Sequence, residues 1–446
     1  MRILILAYSY SPALTPRAFR WTAVAEWMAS EGHDVEVVCA KSNGLSGFQV
    51  IKGVQIHRVG GGFRNTLKAW MNLEQVVKPK PNKAMVKQAL SKRSSSLVRK
   101  LYSFTLKNVM WPDFAAFWYF SAFRKSKELI KNKPYDAIIS VSIPFTGHLV
   151  GLSLNKRYMI PWLVDIGDPF YFMTETPVNN HKFFGKLNFY SEERVLEKAD
   201  VISVTTKQTR LEYYKHFPYL DANKISVIPP LFVTPDLQKG SKQLFTGQRK
   251  LKLVYAGTLY SRIRSPAVLL KFFASLLDEP IGEKAELHFF GEINDCASCF
   301  QEYAHLIGEK IFLHGLVMRD DALQAMKEAE ILINLGNQTG YQLPSKVIEY
   351  VMLGKPVLNI SPLPLDNSEN LFEGINSILS VTEDSLSRDL EAYAEVRNFI
   401  EAPPPVSPDV IARFSEIHGL QKIGQNYIEL LEEKISREPV LKNLAI

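Results

Sequence analysis

Short aliphatic runs, each followed by a stretch with apolar residues three and four apart, recur along the whole chain. Ile3 to Ala7, Val35 to Val38, Ala137 to Val141, Trp162 to Val164 and Val201 to Val204 read as strands of the first half. Leu251 to Tyr255, Leu287 to Phe290, Ile311 to Leu313, Ile331 to Leu335 and Val357 to Ile360 form a second set. Strands that alternate with helical patterns are the mark of parallel sheets crossed by helices, so an α/β protein with two parallel sheets is expected. Between the sets lies IPPLFVTPDLQKGSKQLFTGQRK, rich in Pro, Gly and polar residues, in which neither period continues. It reads as a linker. After the stiff EAPPPVSP segment, Ile411, Phe414, Ile417, Ile423, Tyr427, Leu430 and Leu431 fall at helical spacing. They predict a late helix packing across the domain junction.

Length supports the division, because a chain of 446 residues exceeds what one core usually holds. With 46% apolar and 22% charged residues it has the composition of an ordinary globular protein. The opening MRILILAYSYSP meets Ser9 and Pro12 too soon for a signal sequence and reads as a buried first strand. No apolar run reaches the roughly 18 residues that a membrane span needs. Cys39, Cys296 and Cys299 cannot build a disulfide framework, which suits a reducing cytoplasm. Cys296 and Cys299 form a CxxC, but no second ligand pair follows, so no metal site is expected.

The net charge of +7 is concentrated in one place. Between Gly60 and Tyr135 stand sixteen Lys or Arg against Glu74, Asp113 and Glu128, leaving the rest of the chain net acidic. Leu67, Trp70, Met71, Leu97, Tyr102, Phe104, Trp111 and Phe117 are interleaved with this block. Basic and apolar residues mixed in this way fit an amphipathic element at an anionic membrane surface better than a nucleic-acid tail. The plainer reading is a solvated helical insert.

The chemistry gathers in ILINLGNQTGYQLPSKVIEYVMLGKPVLNI, read as strand, loop, helix and strand. Gly336 and Gly340 loosen the loop, Pro344 and Ser345 suit a helix start, and Gly354 with Pro356 ends the helix. A helix N-terminus favours an anion such as a diphosphate, and Lys346 adds a full positive charge. One turn on, Glu349 has a carboxylate able to accept both hydrogen bonds of a ribose diol. The alternative is a plain crossover with surface Lys and Glu. The sequence holds no H-E-x-x-H, GxSxG, GxxxxGK[ST] or GxGxxG, which removes zincin, α/β-hydrolase, P-loop and classical NAD dehydrogenase readings.

VYAGTLYSRIRSP from Val254, LHFFG from Leu287, HGLVMRDDALQAMKEAEILINLG from His314 and LPSKVIEYVMLGKPVL from Leu343 resemble, in this order, family-4 glycosyltransferases of the GT-B fold. RILILAYSYSPALTPRAFRWTAVAEWMASEGHDVEVVCA, WPDFAAFW, YDAIISVSIPFTGHLVGL, PWLVDIGDPF and SEERVLEKADVISVTT extend the likeness through the first half, thinning over the insert at about 64–108. The resemblance implies two facing Rossmann-like domains: 1–232 on the acceptor side, a linker at 233–249, a nucleotide-sugar domain at 250–405 and a helical segment at 406–446 crossing back. It also implies a donor site of Gly257, Arg262, Arg264, Tyr341, Leu343, Ser345, Lys346 and Glu349. Glycine allows close backbone approach to a phosphate and arginine grips two oxygens, although Arg262 and Arg264 also suit a plain surface.

Two departures from the family stand out. Eight positions before Glu349 the family often has a second Glu, and this chain has Tyr341. In the first loop, where relatives often have a glycine pair, stand Ala13, Leu14, Thr15, Pro16 and Arg17. Pro16, Arg17, Arg20 and Asp165 are candidates for the acceptor side, with helix packing the alternative for the arginines. His148 and Asp168 are the catalytic candidates, against a packed histidine and a turn before Pro169. The implied activity is transfer, with retention, of a hexosyl group from a nucleoside-diphosphate sugar to a lipid-linked or glycan acceptor at a membrane, in cell-surface polysaccharide synthesis. No metal or other cofactor and no nucleic acid are expected, and the place is the cytoplasm or the inner membrane face. A GT-B sugar-nucleotide epimerase and a non-catalytic nucleotide-sugar-binding subunit are the competing readings.

Overall fold

A computed structural model describes residues 1–13, 15–42, 44–60, 110–233, 245, 251–343, 346–364 and 371–443. The basic insert, most of the linker, Pro344 and Ser345 lie outside the described residues. These fall into two compact units, one of 1–60, 110–231 and 418–443, the other of 232–417.

The first unit runs β1 (Arg2–Leu6), α1 (Pro16–Ser30), β2 (Asp34–Ala40), β3 (Phe48–Ile51), β4 (Val54–Val59), α2 (Trp118–Asn132), β5 (Ala137–Val141), α3 (Thr146–Tyr158), β6 (Trp162–Asp165), α4 (His181–Lys198), β7 (Val201–Val204), α5 (Lys207–His216) and β8 (Ile225–Val227). Its sheet has the order β3-β4-β2-β1-β5-β6-β7-β8, with every pairing parallel except β3 on β4. The five strands expected from aliphatic runs are all present. Helix α1 starts where Thr15 caps the Ala18 amide and Pro16 takes the first turn, which needs no N–H there.

The second unit runs β9 (Leu251–Ala256), α6 (Ala267–Leu276), β10 (Ala285–Phe290), β11 (Ile311–Gly315), α7 (Arg319–Glu328), β12 (Ile331–Leu335), α8 (Lys346–Met352), β13 (Val357–Ser361), β14 (Ile378–Thr382), α9 (Glu383–Arg388), α10 (Leu390–Glu401) and α11 (Pro408–His418). Its sheet is parallel throughout, in the order β11-β10-β9-β12-β13-β14. Leu253, Tyr255, Leu287, Phe289, Ile333 and Leu358 turn one way into a core with α6 and the short 3₁₀ helix Asn294–Phe300, where Cys296 is buried. No helix among the described residues is long and apolar enough to cross a membrane.

The last helix, α12 (Leu420–Asn443), returns to the first unit. Ile423, Tyr427, Ile428 and Leu431 pack with Trp21, Val24 and Met28 of α1 in one core. Gly424 makes this approach possible, since a Cβ there would meet the Trp27 ring at 2.1 Å. Phe414 and Val410 of α11 pack with Val347, Ile348 and Val351 of the second unit instead.

Candidate functional site

The C-terminal ends of β9, β10 and β12 meet in the second unit. Gly257 donates its amide to the Phe290 carbonyl at 2.8 Å, and Gly291 sits at φ +135° with its Cα against the Gly257 carbonyl. A Cβ at Gly291 would stand 2.1 Å from that oxygen, so only glycine fits. The loop after β9 turns at Tyr260 to Arg264 and is stitched to the loop after β12. Arg264 Nε donates to Asn337 Oδ1 at 2.6 Å, and the Gln338 amide donates to the Ile263 carbonyl at 3.2 Å. Asn337 and Thr339 are buried and hold Gln342 through its carbonyl and side chain. Tyr350 of α8 donates its hydroxyl to the Ala256 carbonyl at 3.2 Å, fixing α8 to the end of β9.

Onto this frame α8 brings Lys346 and Glu349. Arg319, the first residue of α7, donates to Glu349 Oε1 at 2.7 Å. Burial pushes the Lys346 ammonium below its ordinary value, while Glu349 pulls it back up and Arg264 and Arg319 press it down again. Glu349, Arg264 and Arg319 thus all act on Lys346, a cluster with excess positive charge. Arg319 was not singled out in the sequence, and its only signal was a basic residue opening a helix at MRDD. Arg262 is exposed, while Tyr341 and Leu343 are half-buried, Leu343 against the α8 core. With Ser345 outside the described residues and α8 only seven residues long, the side chains rather than the helix end carry the charge argument.

In the first unit Asp165 and Arg20 are both engaged in the interior. Asp165 is buried and fully occupied: Oδ2 accepts from Trp21 Nε1 at 2.8 Å and from Arg17, and Oδ1 accepts from Ser203 and Tyr427 hydroxyls at 2.7 Å each. Burial alone would raise this carboxyl, but Arg17 and Arg20 hold it below the usual range. Arg20 is buried and donates to the Tyr427 hydroxyl, the Ile228 carbonyl at 3.2 Å and the Pro229 carbonyl at 2.7 Å. Both residues fasten α12 to the sheet. Arg17, half-buried, also donates to the Ser142 carbonyl at 2.7 Å, and Pro16 is exposed at the start of α1.

His148 is buried on α3 with Nδ1 2.8 Å from Ser140 Oγ, which accepts from Trp162 Nε1 at 2.8 Å. Burial pushes its pKa down to about 3, so near neutrality the imidazole is uncharged. Its Nε2 has no hydrogen-bond partner among the described residues. A small cavity brings it together with Asp168, Ser142, Phe145 and Glu192. Glu192, which the sequence reading missed, accepts from the Phe170 and Tyr171 amides at 3.1 and 2.7 Å and from Tyr213 at 2.6 Å, fixing the loop that presents Asp168.

Residues 18–230 match the family described as the glycosyl transferase 4-like domain. No curated protein sequence matches the chain. Among solved structures it resembles sucrose-phosphate synthase from Thermosynechococcus elongatus, with a TM-score of 0.64 and 12% identity over 98% of this chain and 100% of that one. HepE of Anabaena, solved with UDP, gives 0.56 and 14% over 97% of this chain and 100% of that one. WaaG, a glycosyltransferase involved in lipopolysaccharide biosynthesis, gives 0.54 and 12% over 97% and 98%. The two parallel sheets with their helices are the GT-B glycosyltransferase fold, and residues 18–230 carry a glycosyl transferase 4-like domain.

Proposed function

We propose that this enzyme transfers a sugar, with retention, from a nucleoside-diphosphate sugar to a lipid-linked or glycan acceptor at the inner face of a membrane, in cell-surface polysaccharide synthesis. The observation that carries the donor half is the cluster of Arg264, Arg319 and Glu349 about Lys346 in the second unit, with Arg319 paired to Glu349. The solved HepE structure with UDP supports a nucleotide ligand for a fold of this kind. As the glycosidic bond breaks, charge accumulates on the departing diphosphate, and fixed cations stabilise it more in the transition state than before. These cations supply that charge from the protein, and the proposal includes no metal.

Glu349 has a role for each oxygen. Oε1 takes Arg319, which orients the carboxylate, and Oε2 accepts from the ribose diol. Tyr341 stands where a second carboxylate would meet the sugar, so it bears on donor choice. The membrane half rests on the basic, aromatic-rich stretch between Gly60 and Tyr135. Replacing Glu349 with Gln is expected to weaken nucleoside-diphosphate binding roughly ten-fold, the worth of one charge-assisted hydrogen bond. Calorimetric titration with UDP, ADP and GDP checks it. Unchanged dissociation constants for all three would refute the donor assignment.

A further inference from the structure

One face of α4 has a composition poorly suited to water. Phe183, Leu187 and Tyr190, spaced by four and three residues, form one stripe and are 75%, 44% and 61% exposed. Lys182, Lys186 and Arg194 are exposed beside them, with Lys198 and Glu197 on the last turn. The opposite face is committed, since Asn188, Glu192, Val195 and Leu196 are buried in the unit. A second set opens α2: Phe117 and Phe120, 65% and 71% exposed, followed at helical spacing by exposed Arg124.

The two sets belong to one surface. Trp111 Nε1 donates to Asn188 Oδ1 at 3.1 Å, and Asn179 Nδ2 donates to the Pro112 carbonyl at 2.8 Å and to Asn188 Oδ1 at 2.9 Å. The segment entering α2 is therefore bound to the flank of α4. Both α2 and α4 pack against α3. In a parallel sheet with right-handed crossovers, the helix following a strand begins at the strand's C-terminal edge. The start of α4 and the loops holding Asp168 and Ser142 share that edge.

We propose that this face docks on an anionic lipid bilayer. Phe117, Phe120, Phe183, Leu187 and Tyr190 enter the boundary between headgroups and acyl chains, and Arg124, Lys182, Lys186 and Arg194 meet the lipid phosphates. Single exposed apolar residues need no explanation, whereas a convergent set rimmed by cations marks a binding surface. Charge complementarity selects the partner, because a basic rim around aromatic anchors matches an anionic interface. The inference rests on the membrane acceptor proposed above: docking at this edge holds the unit's acceptor-side loops at headgroup level. It differs in placing the contact on α4 rather than in the basic insert.

The test is co-sedimentation of the full chain with vesicles of equal parts phosphatidylcholine and phosphatidylglycerol, against pure phosphatidylcholine, at low and high salt. The wild type is expected to prefer the anionic vesicles, with the preference shrinking in salt. The variant F183S/L187S/Y190S is expected to partition roughly a hundred-fold more weakly, with its melting temperature and UDP binding unchanged. K182E/K186E is expected to lose the anionic preference and keep weak binding to neutral vesicles. Equal binding of the wild type to both lipids overturns the proposal. So does wild-type docking by the triple variant, which would place the contact elsewhere, or a wild-type dimer that the triple variant splits, which would make the partner a second copy. Failure of UDP binding with vesicle docking intact would refute the donor assignment and support this surface.

Discussion

Replacing Asp165 with Asn separates a structural carboxylate from a substrate contact. The amide keeps the shape but has one acceptor oxygen and no charge. Its NH2 cannot face Trp21 Nε1 and Arg17, both donors, so it must turn toward Ser203 and Tyr427. Tyr427 already accepts from Arg20 Nε and Nη2 at 3.1 and 2.9 Å, so its own proton loses an acceptor. Arg17 meanwhile keeps a half-buried charge without its carboxylate partner. Removing one partner of a buried ion pair costs about 3–5 kcal/mol. For a unit of this size each kcal/mol moves the melting temperature by about 2–4 °C, so the first unit's transition should fall by about 6–20 °C. Scanning calorimetry reads the transition, and UDP titration below it reads the second unit, which should be unaffected. A variant that melts like the wild type and loses transfer would refute the structural assignment and return Asp165 to the acceptor side.

Acid should destabilise the first unit through His148. The folded chain keeps this imidazole neutral down to about pH 3, whereas the unfolded chain protonates it near its ordinary value of about 6.5. Its contribution is therefore full above about pH 6.5 and is lost as pH falls toward 3, with a slope of at most about 1.4 kcal/mol per pH unit. Urea midpoints measured across that window should flatten in a His148→Asn variant, and unaltered slopes would refute it. His314, pushed by burial to about 4 and stacked on Phe290, adds a dependence of the same sign in the second unit. Gly291→Ala should force the loops after β9 and β10 apart at a cost of about 1–3 kcal/mol and abolish measurable UDP binding. Titration calorimetry decides it, and wild-type affinity would contradict the steric argument.

Much of this architecture was legible because buried parallel strands leave continuous aliphatic runs. Strands without such runs escaped. Phe48–Ile51 is largely exposed at the sheet edge, and its turn to Val54–Val59 is made by Lys52 at φ 45° and Gly53 at φ 81°, where no Asn-Gly pair gives it away. Ile225–Val227 and Ile378–Thr382 are too short, or too polar, to show a period. At the proposed donor site the sequence pointed to Lys346 and Glu349 through the helix start and to Arg264 through the resemblance, yet not to Arg319, which reaches Glu349 only because β11 and β12 flank the β10–β9 pair. Asp165 and Arg20 are acceptor-side candidates by position alone, as polar groups at a strand end and a helix start. Their shared partner within the chain, Tyr427, lies 262 and 407 positions away and could not be read from the sequence.

That distance bears on how the protein is made. During translation the sheet of the first unit emerges early, with Asp165 facing a place that only Tyr427 can fill, and every residue of the second unit is synthesised before α12 appears. Trp21, Val24 and Met28 must wait for Ile423, Tyr427 and Leu431 to be covered. On the ribosome the first unit is thus an open half-core until α12 emerges, a natural client for chaperones.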